Sequence, residues 1–172
     1  MNSTQRREQI LVILKNSGGN VTASILAEKL QVSRQIIVGD IALLRAVGTD
    51  ILSTPKGYIL NSSEPSKDYL FKIACFHHDD LTKEEIYAVV DNGGKLIDVI
   101  IEHAIYGQLV GQLNISSRYD AQCFFEKAKE EGVCLLSALT DGIHLHSISC
   151  KDEKNALRIK EALKKIGVLY CQ

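Results

Sequence analysis

The stretch ILAEKLQV (residues 25–32), continuing directly into SRQIIVGDIALLR (residues 33–45), decides the fold of the N-terminal part of this chain. Thr22 is placed to cap a helix whose Ile25, Leu26, Lys29 and Leu30 recur at helical spacing. Gln31 and Val32 leave only a short turn before Ser33, a second cap. A further helix is expected from Arg34 to about Val47, with Ile37, Ile41 and Leu44 on one face, Asp40 and Arg45 elsewhere on its surface, and Gly48 closing it. Gly39 inside this helix costs about 1 kcal/mol relative to alanine, and it also lets another backbone approach closely.

Working outward, Ile10, Ile13, Leu14 and Ser17 follow helical spacing within Thr4 to Asn16, and Ser17-Gly18-Gly19-Asn20 supplies a stop. After the central helices, Ile51–Ser53 and Tyr58–Leu60 read as short strands around Thr54-Pro55-Lys56-Gly57, a hairpin. The polar, proline-containing run from Asn61 to Ser66 reads as a linker. The expected organisation is a domain over 1–61, a linker over 62–67 and a second domain over 68–172. Residues 1–60 resemble the winged helix-turn-helix of bacterial repressors and biotin-ligase-type regulators. A helix of this kind fits the major groove, so Ser33, Arg34 and Gln35 at its start are candidates for phosphates and base edges, with Lys56 on the wing facing a neighbouring phosphate. The alternative is a small helical domain used for protein contacts.

Charge divides the same way. Residues 1–60 carry seven Lys/Arg against four Asp/Glu, and residues 61–172 carry thirteen against seventeen, so the halves are about +3 and -4. A basic half suits a polyanionic partner and an acidic half does not. The start lacks an apolar signal core, and no stretch approaches the roughly 20 uncharged residues of a membrane span, so a cytoplasmic protein without a membrane partner is expected. Cys75, Cys123, Cys134, Cys150 and Cys171 are odd in number and lack Cys-x-x-Cys spacing. They read as reduced, mostly buried thiols rather than a disulfide framework.

Beyond the linker the pattern predicts a strand over Tyr69–Phe76, a helix over Leu81–Asp91, strands over Lys95–Glu102 and Tyr106–Ile115, a helix over Arg118–Glu131, a strand over Ile143–Ser149 and a helix over Asp152–Ile166. This is an α+β arrangement, a β-α-β-β-α-β-α sandwich with helices over one sheet face.

His144 and His146 lie two apart in a predicted strand, so both imidazoles point to the same face and can grip one ion, or simply form a polar strand face. His77 ends the strand Tyr69–Phe76 and Glu85 follows eight residues later on the next helix, close enough for a short loop to turn both toward one point. Imidazole and carboxylate donors suit Ni, Zn, Fe(II) or Mn, and the absence of paired thiolates argues against a cysteine-rich structural zinc site.

FHHDDLTKEEIYAVVDNGG (76–94), DVIIEHAIYGQL (98–109), ISSRYD (115–120) and LTDGIHLHSI (139–148) resemble the successive motifs of the three-histidine domain. Joined to the N-terminal module, the chain resembles the niacin-responsive transcriptional repressors of NAD biosynthesis and niacin uptake. The resemblance implies metal ligation by His77, Glu85, His144 and His146, with nickel the first candidate, and places His103 beside the ligand. Ala104 stands where a proline is usual in that motif. His103 can equally be a buried structural histidine, and Arg118 can pair with a protein carboxylate or fix an acidic effector.

The function expected from this resemblance is repression through operator DNA, with nicotinic acid as corepressor and a divalent metal in the sensing domain, by a homodimer that reads two half-sites. A regulator that reports metal alone is one alternative. A metalloenzyme fused to a DNA-binding module is another, but the cupin carboxylate positions after the second histidine hold Cys150 and Lys151, and no nucleophile elbow, P-loop or dinucleotide fingerprint occurs.

Overall fold

The computed structural model describes residues 2–61 and 68–170. The expected linker, 62–67, lies outside the described residues, as does Cys171. The chain forms two compact units, Met1–Glu64 and Pro65–Gln172.

In the first unit, polar caps start each helix where the sequence offers an oxygen to an orphan backbone N–H. Helix α1 (Ser3–Asn16) is capped by Asn2, with Gln5 closing a capping box. Helix α2 (Ala23–Leu30) is capped by Thr22 and ends on Gln31 in a left-handed conformation, and Ser33 caps α3 (Arg34–Ala46). Ile10, Leu14, Leu26, Ile37, Ile41 and Ile51 form its core. Strands β1 (Ile51–Thr54) and β2 (Gly57–Leu60) pair antiparallel, and Val21 bridges to Tyr58. Gly57 is required at that bridge, because a Cβ would lie 2.6 Å from the Val21 backbone and φ is +123°.

One surface expectation is corrected here. Asp40 is buried, 3% exposed, because Arg6 from α1 reaches it with Nε at 2.5 Å and a second nitrogen at 3.2 Å, while Arg7 approaches to 3.6 Å. Arg45 is exposed, and its guanidinium donates to the Ile51 carbonyl and the Ser53 hydroxyl of the wing.

The second unit is the expected β-α-β-β-α-β-α sandwich. Strands β3 (Tyr69–Phe76), β4 (Lys95–His103), β5 (Gly107–Ile115) and β6 (Ile143–Cys150) form one antiparallel sheet in the order β3-β6-β4-β5. Helices α4 (Thr82–Val90), α5 (Arg118–Glu131) and α6 (Glu153–Lys165) pack over it around Ile86, Val89, Leu96, Ile148, Ile159 and Leu163. Two 3₁₀ turns, Asp79–Leu81 and Leu136–Thr140, add to the expected elements. The second packs on β4, with Leu136 against Val99 and the Cα of Gly111. No helix among the described residues is long and apolar enough to cross a membrane.

Candidate metal centre and DNA-reading helix

Strand periodicity and one cross-strand register build the cluster. His144 and His146 share the helix-facing side of β6, and their antiparallel partners on β3 are Cys75 and Ile73. His77 follows β3 on the same side, and the 3₁₀ turn after it carries the chain into α4, whose inward face presents Glu85. All four expected residues are buried, with Glu85 and His144 each 1% exposed.

Their polar atoms converge. His77 Nε2 lies 2.8 Å from Glu85 Oε2, His144 Nε2 lies 3.3 Å from Oε1, and His146 Nε2 lies 3.4 Å from Oε2. The other nitrogen of every ring is held by a backbone carbonyl: Nδ1 of His77 by His78 at 2.7 Å, of His144 by Gly142 at 2.9 Å, and of His146 by Asp98 at 2.7 Å. A carbonyl only accepts, so each Nδ1 carries the hydrogen and each neutral ring turns a lone pair at Nε2 toward the carboxylate. Three lone pairs facing an anion in a buried site require positive charge between them, supplied by protons or by a cation. This is also how metal-binding histidines are oriented, with the distal ring N–H tied to an outer acceptor.

Titration follows the same logic. Burial opposes charge on Glu85, but the charge of His146 and hydrogen bonds from the three imidazoles outweigh it and hold the carboxyl well below its ordinary range. Burial likewise opposes charge on His77 and His146, and the hydrogen bond to and charge of Glu85 raise both above their ordinary value. A hard-to-borderline donor set of carboxylate and imidazoles in this arrangement fits a divalent transition metal.

Beside His77 a cavity of about 500 Å³ opens, lined by His78, Asp79, Asp80, Ser137, Ala138, Asp141 and Gly142 as well. His103 and Arg118 are not among its lining residues. His103, at the end of β4, accepts at Nδ1 from the backbone N–H groups of Ile105 and Tyr106. Arg118 grips Asp91 with two nitrogens, at 2.8 and 2.6 Å, and lies over the Tyr87 ring. In the other unit, Ser33, Arg34 and Gln35 are exposed at the start of α3, and Lys56 is half-buried at the tip of the hairpin.

Residues 71–172 match the 3H domain family, and residues 6–59 match an HTH domain. The probable transcription repressor NiaR of Thermotoga maritima is 42% identical over 168 residues, 96% of this chain and 93% of that protein. Transcription repressor NadR of Bacillus subtilis is 37% identical over 166 residues, covering 95% and 92%. The chain belongs to the NiaR/NadR family of transcription repressors.

Membership in the NiaR/NadR family makes this a transcription regulator built on an HTH and a 3H domain, not an enzyme. Two residues of its cluster escape sequence reading. The Sγ of Cys75, an oxygen of Glu85 and a ring nitrogen of His144 all lie within 4.8 Å of one another, a group able to hold a metal ion. Gly142 accepts from the His77 backbone N–H at 3.2 Å and from the His144 ring, tying two histidines to one carbonyl. Alternation along β3 puts Cys75 on the face of His77, but only the pairing of β3 with β6 sets it beside His144.

Proposed function

We propose that this protein represses niacin uptake and NAD biosynthesis genes in the cytoplasm, with nicotinic acid as corepressor. In this reading residues 1–61 bind operator DNA, 62–67 link, and 68–172 sense. The observation that supports it most is the convergence of three imidazole Nε2 atoms on Glu85, with one of them, His77, also lining a cavity of about 500 Å³.

His77, Glu85, His144 and His146 would hold one divalent ion, nickel first on the family resemblance, then zinc, iron or manganese. Such an ion, when bound, supplies positive charge and coordination positions open to a carboxylate or a pyridine nitrogen. The cavity makes that charge necessary, since Asp79, Asp80 and Asp141 along its wall repel an anion. Nicotinate therefore binds through the loaded cluster and nicotinamide, lacking the anionic carboxylate, binds less well. His103 and Arg118 complete the effector reading, and an acidic effector reaching Arg118 must exchange with Asp91. Ser33, Arg34, Gln35 and Lys56 contact operator DNA, and a homodimer presents two modules to two half-sites.

The acidic cavity wall also favours a second reading, a regulator that answers to the metal ion alone. Gel shifts of metal-loaded protein on operator DNA separate the two. A change of affinity on adding nicotinate, absent with nicotinamide, supports the corepressor. Full binding with metal alone, indifferent to nicotinate, overturns it in favour of the metal sensor.

A further inference from the structure

Cys75 is fully buried and sits near the C-terminal end of β3, between Ile73 and His77 on the face that carries the cluster. Its cross-strand partner is His144, and its backbone also bridges to Leu169 on the other side, which fixes its position from two directions. On that face Ile73 and Ile148 are apolar, whereas Glu85 and His144 each bring a donor atom within 4.8 Å of the thiol. It is not among the residues of the cavity beside His77.

The spacing suits shared ligation. Thiolate and imidazole donors on opposite sides of one first-row ion are about 4.4 Å apart at most, from bond lengths of about 2.3 and 2.1 Å. The Cys75, Glu85 and His144 donor atoms lie within 4.8 Å of one another, close to the span of donors around one ion. We propose that Cys75 is a fifth protein donor of this centre, entering from β3 beside His144. This rests on the metal reading of the four-residue cluster. On coordination the S–metal bond forms as the S–H bond breaks, and the proton leaves to solvent. The consequence is selectivity: a sulfur donor favours zinc, cobalt and nickel over manganese, whereas the three imidazoles and the carboxylate alone are less discriminating.

Cobalt(II) titration of the full chain tests this by absorption spectroscopy, alongside the Cys75→Ser and Cys75→Ala variants. The expected result is a near-ultraviolet sulfur-to-cobalt charge-transfer band in the parent that disappears in both variants, while the visible cobalt bands persist. Affinity for cobalt should fall at least about tenfold, and affinity for manganese should stay the same. Visible bands without the charge-transfer band in the parent overturn the cysteine assignment and leave the four-residue site standing. A charge-transfer band that survives Cys75→Ser assigns the sulfur to another thiol and overturns it equally. No stoichiometric cobalt uptake by the parent overturns the metal reading itself. A parent spectrum without the band overturns the assignment even if a variant fails to fold, and either variant that folds assigns the band when it is present.

Discussion

Gly142 lies with its Cα against the backbone carbonyl of His77, and no side chain fits between them. A Cβ there would collide with that carbonyl, and Gly142 also holds φ at +91°. The glycine therefore joins the start of β6 to the end of β3 at the point where both strands deliver histidines. Gly142→Ala should destabilise the second unit by about 2 kcal/mol or more and release bound metal. Gly132, at φ +60° with open space around it, is the control. Gly132→Ala should cost about 1 kcal/mol and leave metal content unchanged. Denaturant melts and elemental analysis on both variants check this.

The stability of the metal-free chain should respond to pH in a defined direction. His77 and His146 are raised above 6.5, so their contribution is full below 6.5 and is lost as pH rises through the raised values. Glu85 is depressed below 4.5, so its contribution is present above 4.5 and lost as pH falls. In chelator, the melting temperature of the second unit should be highest between those values and decline toward alkaline pH. Saturating metal should reverse the alkaline decline, because the cation takes the place of the protons. A thermal-melt series with and without metal reads both effects.

Metal binding should release protons at neutral pH, since Nε2 of the raised histidines must give up its proton to coordinate. Calorimetry in buffers of different ionisation enthalpy measures the number. Glu85→Gln and the double variant His144→Ala/His146→Ala should each retain no stoichiometric metal by elemental analysis. Equal metal in parent and double variant would refute the proposed ligand set.

On the DNA side, Arg34→Ala and Lys56→Ala should each weaken operator binding and reduce its salt dependence, as loss of a phosphate contact does. Gly39 is exposed within α3 and a Cβ there meets nothing within 4 Å, so Gly39→Ala should raise the stability of the first unit by about 1 kcal/mol. If DNA approaches α3 at Gly39, the same variant binds operator more weakly while melting higher. Fluorescence anisotropy against melting temperature resolves the pair.

What was legible in the sequence was local. Caps at Thr22 and Ser33 announce helices because their side chains satisfy N–H groups three residues away. His144 and His146 announce a shared face because strand periodicity is two. Cys75 was silent, since its place beside His144 depends on pairing β3 with β6, about 70 residues apart. Asp40 was misplaced on the surface for the same reason, its partner Arg6 lying on another helix. The turn Leu136–Thr140 carries no periodic signal, being held by β4 rather than by its own pattern. Arg118 shows the limit of residue type: a guanidinium near an acidic site looks like an effector clamp until Asp91 is seen in its grip.

The Asp40 ion pair also bears on how the N-terminal module meets a polyanion. Arg6 and Arg7 turn inward to Asp40 and Arg45 reaches the backbone of the wing, so at least three of the seven cationic side chains in residues 1–60 are occupied within the module. Few counterions are then displaced when one module settles on a duplex, and its hold loosens only gradually as salt rises. Discrimination between sequences has to come from base edges and groove shape at the start of α3, and affinity from a second module on the neighbouring half-site.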